Sequence, residues 1–148
     1  MIITYKQDDG TEQRHSTDDL SAIEAAAVED AMDGVPWRAI EDRLRAQDPT
    51  AMRALLWAFR RREQKDLAFT DFDVPGWRRR LRVGIERFEI DEVLANLMSE
   101  ALAKNEDSAI DALLPHLRKL AHDRADVDRA LDDLGKGHLA PDRQDSAA

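Results

Sequence analysis

The stretch Ala51–Glu63, AMRALLWAFRRRE, decides how this chain folds. From Ala54 to Phe59 it is apolar nearly all round, and a helix with no polar stripe is buried on most of its sides. Asp48 stands ready to cap it, and Pro49 falls in the first turn, where the missing N–H has no partner to lose. The expected centre of the fold is therefore a helix starting at Asp48-Pro49-Thr50, and the arginines after Phe59 mark where it leaves the core.

Working outward, the sequence places helices on both sides of this centre. STDDLSAIEAAAVEDAMDG, Ser16–Gly34, reads as a helix capped by Ser16 or Thr17, with Asp18 and Asp19 at the positive end of its dipole and Gly34 just past its end. Its apolar face is Leu20, Ile23, Ala27, Val28, Ala31 and Met32. A second helix starts around Pro36, with Trp37, Ile40 and Leu44 facing inward. Before both, MIITYK alternates and is rich in β-branched residues. Asp9-Gly10 supplies a turn and TEQRH a return strand, so a short hairpin is expected over residues 1–15. LAFTDFDVPGW reads as a loop with a turn at Pro75-Gly76.

Trp77 to Ile90 fits two patterns. Trp77, Leu81, Ile85 and Phe88 share a helix face, whereas Leu81, Val83 and Ile85 alternate like a strand, and Gly84 weakens a helix. Helix is the expectation. IDEVLANLMSEALA is a helix with Ile90, Val93, Leu94, Leu97, Met98, Ala101 and Leu102 apolar. A further helical stretch starts at Ser108, which Pro115 should kink or restart. Beyond it Leu113, Leu117, Leu120, Val127, Leu131 and Leu134 form a heptad seam with Arg124 in one slot. The seam serves either packing within the domain or self-association. GKGHLAPDRQDSAA, 135–148, is small and polar and reads as a disordered, flexible tail. The fold class is thus mainly α: a single helical domain over 1–134 with a small N-terminal β-hairpin and a disordered C-terminal tail.

Composition narrows the function. Charged residues are 36% of the chain, enough for solubility, and aromatics only 5%, with Ala and Leu prominent, which favours helices over a large sheet. The absence of cysteine excludes disulfides and thiolate metal sites. No apolar run approaches the roughly 20 residues that cross a bilayer. The N-terminus lacks the pattern of a signal peptide, so a cytoplasmic location is expected. His116 and His122 lie six residues apart, off a common helix face, and His15 and His138 are isolated. With no metal spacing, phosphate loop or nucleophile motif, neither an enzyme nor a bound cofactor is expected.

Charge is the feature that calls for a reason. The net charge is -9, yet Arg53–Arg87 holds 10 basic and 5 acidic residues, a local +5, between acidic flanks. Residues 1–52 and 88–134 each hold 5 basic and 12 acidic residues, or -7. RRR occurs twice, after Trp57 and after Trp77. Three readings are open. The arginines cap the end of the buried helix, or contact phosphates of a nucleic acid beside Trp57, Trp77 or Phe88, or frame a protein-binding surface. For that surface the candidates are Phe59, Arg60, Arg61, Arg62, Phe69, Phe72, Trp77, Arg78, Arg79 and Arg80, an interface-like mixture of aromatics and arginine. Trp57, inside the apolar run, reads as core.

Residues Asp19–Leu44 (DLSAIEAAAVEDAMDGVPWRAIEDRL), Ala51–Glu63 and Leu67–Asp73 (LAFTDFD) together resemble the core of tail assembly chaperones from long-tailed bacteriophages of actinobacterial hosts. The likeness runs in order through a hairpin, an alanine-rich helix opening on Asp-Leu, a glycine turn, a helix with Trp before paired arginines, and a Phe-Asp loop. It covers residues 1–75, with 17–75 as the core, and contains no catalytic motif. The helical region 77–134 is longer than that pattern. The resemblance implies a homo-oligomeric, non-enzymatic protein of the host cytoplasm that coats the tape measure protein and is absent from the mature virion. It also implies a longer companion made by ribosomal frameshifting, which recruits the tail tube protein. Leu134-Gly135-Lys136 is compatible with the codons CTG GGA AAG, which contain the slippery heptamer GGGAAAG. The alternatives are a small helical nucleic-acid-binding regulator using Arg53–Arg87 and a head–tail connector component of the virion.

Overall fold

The computed structural model describes residues 1–105 and 108–139. In order, these form strands β1 (Ile2–Lys6) and β2 (Glu12–Ser16), helices α1 (Ala22–Ala31), α2 (Trp37–Arg45), α3 (Pro49–Arg60) and α4 (Trp77–Arg80), and strand β3 (Leu81–Gly84). Helices α5 (Arg87–Lys104), α6 (Ser108–Leu120) and α7 (Ala125–Leu139) follow. Two compact units divide the chain, Met1–Ile85 and Glu86–Ala148. The architecture is mainly helical with a small antiparallel sheet, as the sequence suggests.

In the first unit, Asp48 accepts a hydrogen bond from the Ala51 N–H at 2.9 Å and opens α3. Every residue of α3 from Ala51 to Phe59 is buried except Arg53. The helix packs against α1, α2, β1 and β3. Into the same core α1 sends Val28, α2 sends Ile40 and Leu44, and β1 sends Ile3, all fully buried. The start of α1 differs from expectation. Ser16 caps only a short 3-10 turn, Thr17–Asp19, while Ser21 caps α1 itself and exchanges hydrogen bonds with Glu24 in a capping box. Ile23 is 83% exposed, away from the core face assigned to it, because it lies about 140° around α1 from the buried Val28.

The expected hairpin gains a third strand, giving the order β2-β1-β3. Ile3 pairs with His15 on one side and Val83 on the other. This corrects the helical expectation for Trp77–Ile90. Only α4 is helical before the chain becomes a strand at Leu81, because Leu81 and Val83 both bury against the core while Arg82 between them faces solvent. Gly76, at φ +70°, makes the sharp entry into α4.

One contact holding this edge was not legible in the sequence. Gln47, in the α2–α3 turn with φ +59°, donates from its amide to the Val83 carbonyl at 2.8 Å and accepts from the Val83 N–H at 2.9 Å. Its side chain stands where a fourth strand would and satisfies the outer edge of β3.

In the second unit, α5, α6 and α7 pack on one another. Ile90, Leu94, Ala101, Leu117, Ala121, Val127 and Ala130 are buried. Helix α6 continues through Pro115 without a restart. One expectation is corrected here: α7 continues to Leu139 rather than ending at Leu134. Of the tail expected at 135–148, residues 140–148 lie outside the described residues. The heptad seam is not one continuous helix, since residues 121–124 separate α6 from α7.

Replacing Gln47 by Ala is expected to lower unfolding free energy by about 1–3 kcal/mol, the cost of two strand-edge groups losing their partner. Leu55→Ala, at a fully buried position, should cost about 2–5 kcal/mol. Urea titration followed by far-UV circular dichroism measures both.

Candidate functional site

Arginine conduct at the end of α3 follows from helix geometry: successive residues point about 100° apart, so a triplet fans out. Each arginine finds a different aromatic ring. The Arg60 guanidinium lies 5.4 Å from the Tyr5 ring centroid, Arg61 4.9 Å from Trp57, and Arg62 4.9 Å from Phe59. Arg62 also grips Glu24 of α1 with two hydrogen bonds, Nε to Oε1 at 2.7 Å and a terminal nitrogen to Oε2 at 2.9 Å. The same terminal nitrogen donates to the Asp19 carbonyl at 2.7 Å. The Arg62 guanidinium pulls the Glu24 carboxyl down to about 2. This forked ion pair ties α1 to the end of α3.

Arg53 works inward instead. It donates to the carbonyls of Phe69 at 3.0 Å and Phe72 at 2.7 Å, and its guanidinium lies 3.8 Å over the Phe69 ring. The Trp57 indole donates to the Leu67 carbonyl at 2.9 Å and meets Phe69 edge-on. Together they lay the loop after α3 back along the helix. Phe69 and Phe72 are consequently half-buried parts of the unit's own packing.

The second triplet divides similarly. Arg78 sits 5.4 Å from the Trp77 ring, Arg79 is exposed, and Arg80 pairs with Asp8 and bonds the Tyr5 side chain. Tyr5 on β1 is thus the place where the two triplets meet, with Arg60 over its ring and Arg80 bonded to its side chain. Their proximity depends on β1 lying beside β3, a pairing across some 80 residues that sequence spacing does not show.

Of the remaining candidates, Phe59 is 4% exposed and stacks on His15 at 4.4 Å, so it supports the surface from beneath. Burial, with Arg60 and Arg62 close by, pushes the His15 imidazole below its ordinary range against the opposing pull of Asp19 and Glu63. Leu117 and Val127 of the seam are buried inside the second unit, Leu120, Leu131 and Leu134 are half-buried, and Leu113 is 37% exposed. The seam chiefly joins α6 and α7 to their own unit.

Between α1 and α3 lies a groove of about 280 Å³. Ile23, Ala27 and Ala58 supply its apolar lining, and Glu24, Arg61, Arg62 and Lys65 its charged rim. With Glu24 neutralised by Arg62, Arg61 and Lys65 give the rim a positive excess. The Ser-x-x-Glu spacing at Ser21–Glu24 was the available sequence signal for where α1 starts.

Among the described residues, no group of three or more His, Asp or Glu side chains is placed to hold a metal ion. No described helix is long and apolar enough to cross a membrane. Comparison with known protein families, curated proteins and solved structures gives no match for the chain.

Because the folded Glu24 carboxyl titrates at about 2 rather than at the ordinary 4.5, its link to Arg62 stabilises the fold fully above pH 4.5. That stabilisation fades as pH falls from 4.5 towards 2. Glu24→Gln is expected to lower the urea midpoint near pH 7 and to flatten its acid dependence in that window. Urea titrations from pH 7 to pH 2.5 test this.

Proposed function

We propose that this protein is a non-enzymatic tail assembly chaperone of a long-tailed bacteriophage, binding the tape measure protein before the tail tube closes around it. The resemblance over residues 1–75 suggests the class. The observation that carries the reading is the groove between α1 and α3, where Ile23 stands 83% exposed over small residues and beside a positive rim. Such a groove accepts an amphipathic helix, apolar side chains down and carboxylates outward. The net charge of -9 keeps the loaded complex soluble.

In this mechanism Ile23, Ala27 and Ala58 cover apolar residues that would otherwise drive the long tape measure helix to aggregate. Arg61 and Lys65 set its orientation by pairing with acidic residues. Arg60, Arg78 and Arg79 extend the positive surface. A longer form produced by frameshifting at Leu134–Lys136 would carry the tail tube protein to the coated helix. The protein acts in the host cytoplasm and is not built into the particle.

The nucleic-acid alternative has less to draw on. Arg53, Arg62 and Arg80 are all committed to groups within their own unit, which leaves fewer cations for phosphates. A regulator needs several phosphate contacts and shows affinity falling steeply with salt.

Co-expression with the tape measure protein of the same genome is the test. The chain is expected to keep that protein soluble and co-purify with it, and Ile23→Asp combined with Lys65→Glu should abolish both effects without unfolding the chain. A tape measure protein equally soluble with and without this chain would overturn the proposal, and presence of the chain in purified particles would favour the connector. Steeply salt-dependent DNA binding would favour the regulator. The coding DNA gives an independent check: GGGAAAG at Leu134–Lys136 with an open -1 frame beyond it is expected.

A further inference from the structure

Glu24 has three roles. It is the third helical residue of α1 and closes the capping box, its Oε2 accepting the Ser21 N–H at 2.8 Å. Both of its oxygens hold Arg62, one accepting from Nε at 2.7 Å and the other from a terminal nitrogen at 2.9 Å. It also lines the α1–α3 groove. Among the described residues of that lining it is the only acid, against Arg61, Arg62 and Lys65.

The guanidinium edge that carries Nε and one terminal nitrogen grips a carboxylate with two parallel hydrogen bonds. The Arg62 side chain is 45% exposed, so a partner lying in the groove can reach it. That edge is already filled by a carboxylate of the same molecule. A partner carboxylate can bond it only by displacing Glu24, whose freed charge then repels the newcomer. Arg61 and Lys65 differ, because among the described residues neither pairs with an acid.

We propose that Glu24 is an internal competitor at the groove: it occupies the fork of Arg62 and leaves Arg61 and Lys65 to read the partner's carboxylates. The hold on the partner is then weaker than three open cations would give. The assignment rests on the proposed seating of an acidic amphipathic helix in the groove. The ion pair that ties α1 to α3 thus gains stability at the expense of affinity, so one substitution moves the two in opposite directions.

A competition experiment tests this. Each full-length variant is co-expressed with size-tagged wild-type chain and the tape measure protein of the same genome, and the ratio of the two chains bound is divided by the ratio free. Glu24→Gln should be enriched about two- to fivefold, the range of a single exposed charge, and the enrichment should shrink at high salt. Its urea midpoint should nevertheless fall, although glutamine at this position preserves the capping box. Arg62→Gln leaves Glu24 uncompensated in the groove and should be depleted by a similar factor. The Glu24→Gln/Arg62→Gln double variant should return close to the wild-type ratio. A purely structural ion pair would instead deplete both single variants, with no recovery in the double. That pattern, or Glu24→Gln bound no better than wild type, overturns the proposal while the groove reading stands. A tape measure protein that retains no wild-type chain overturns both.

Discussion

The burial of α3 on nearly every side is the constraint from which the first unit follows. A helix with no solvent stripe cannot be stable at a surface, so α1, α2 and the sheet must all be brought against it. The cover has to be assembled from distant parts of the chain: Ile3 from β1, Val28 from α1, Ile40 and Leu44 from α2, and Val83 from β3. The helix ends where its cover ends. At Arg60 the side chains switch from apolar to cationic, and the helix end faces the solvent with charge suited to its dipole.

The arginines then serve two purposes at once. Their stems and guanidinium planes lie over Tyr5, Trp57 and Phe59, covering the edge of the core, while the charge remains at the surface. Arg62 adds a specific tether to α1, and Arg53 anchors the following loop. An acidic protein concentrates arginine here because the end of a buried aromatic helix needs residues that are apolar along the stem and polar at the tip. Arg61 and Lys65 border the groove between α1 and α3.

The second unit follows a different logic. Its three helices bury a smaller set of side chains, and Pro115 is tolerated inside α6. The apolar seam from Leu113 to Leu134 is consumed mainly in holding α6 and α7 to their own unit. Phe88 and Leu102 of α5 stay outside that core.

The sequence by itself determined the centre of the fold and most of its punctuation. Asp48, Pro49 and the unbroken apolar run place α3, the Asp9-Gly10 turn sets the hairpin, and Trp37, Ile40 and Leu44 give α2, because caps, turns and helical periodicity are local. It could not choose between helix and strand for Leu81–Ile85, where both periods fit and pairing with β1 decided. It placed Ile23 in the core with Val28, although five helical residues set the two about 140° apart, and packing on α3 buries the Val28 side. It named both arginine triplets but could not show that they meet at Tyr5 or that Gln47 closes the sheet edge. Those contacts join residues far apart in the chain, and only the tertiary structure brings them within reach.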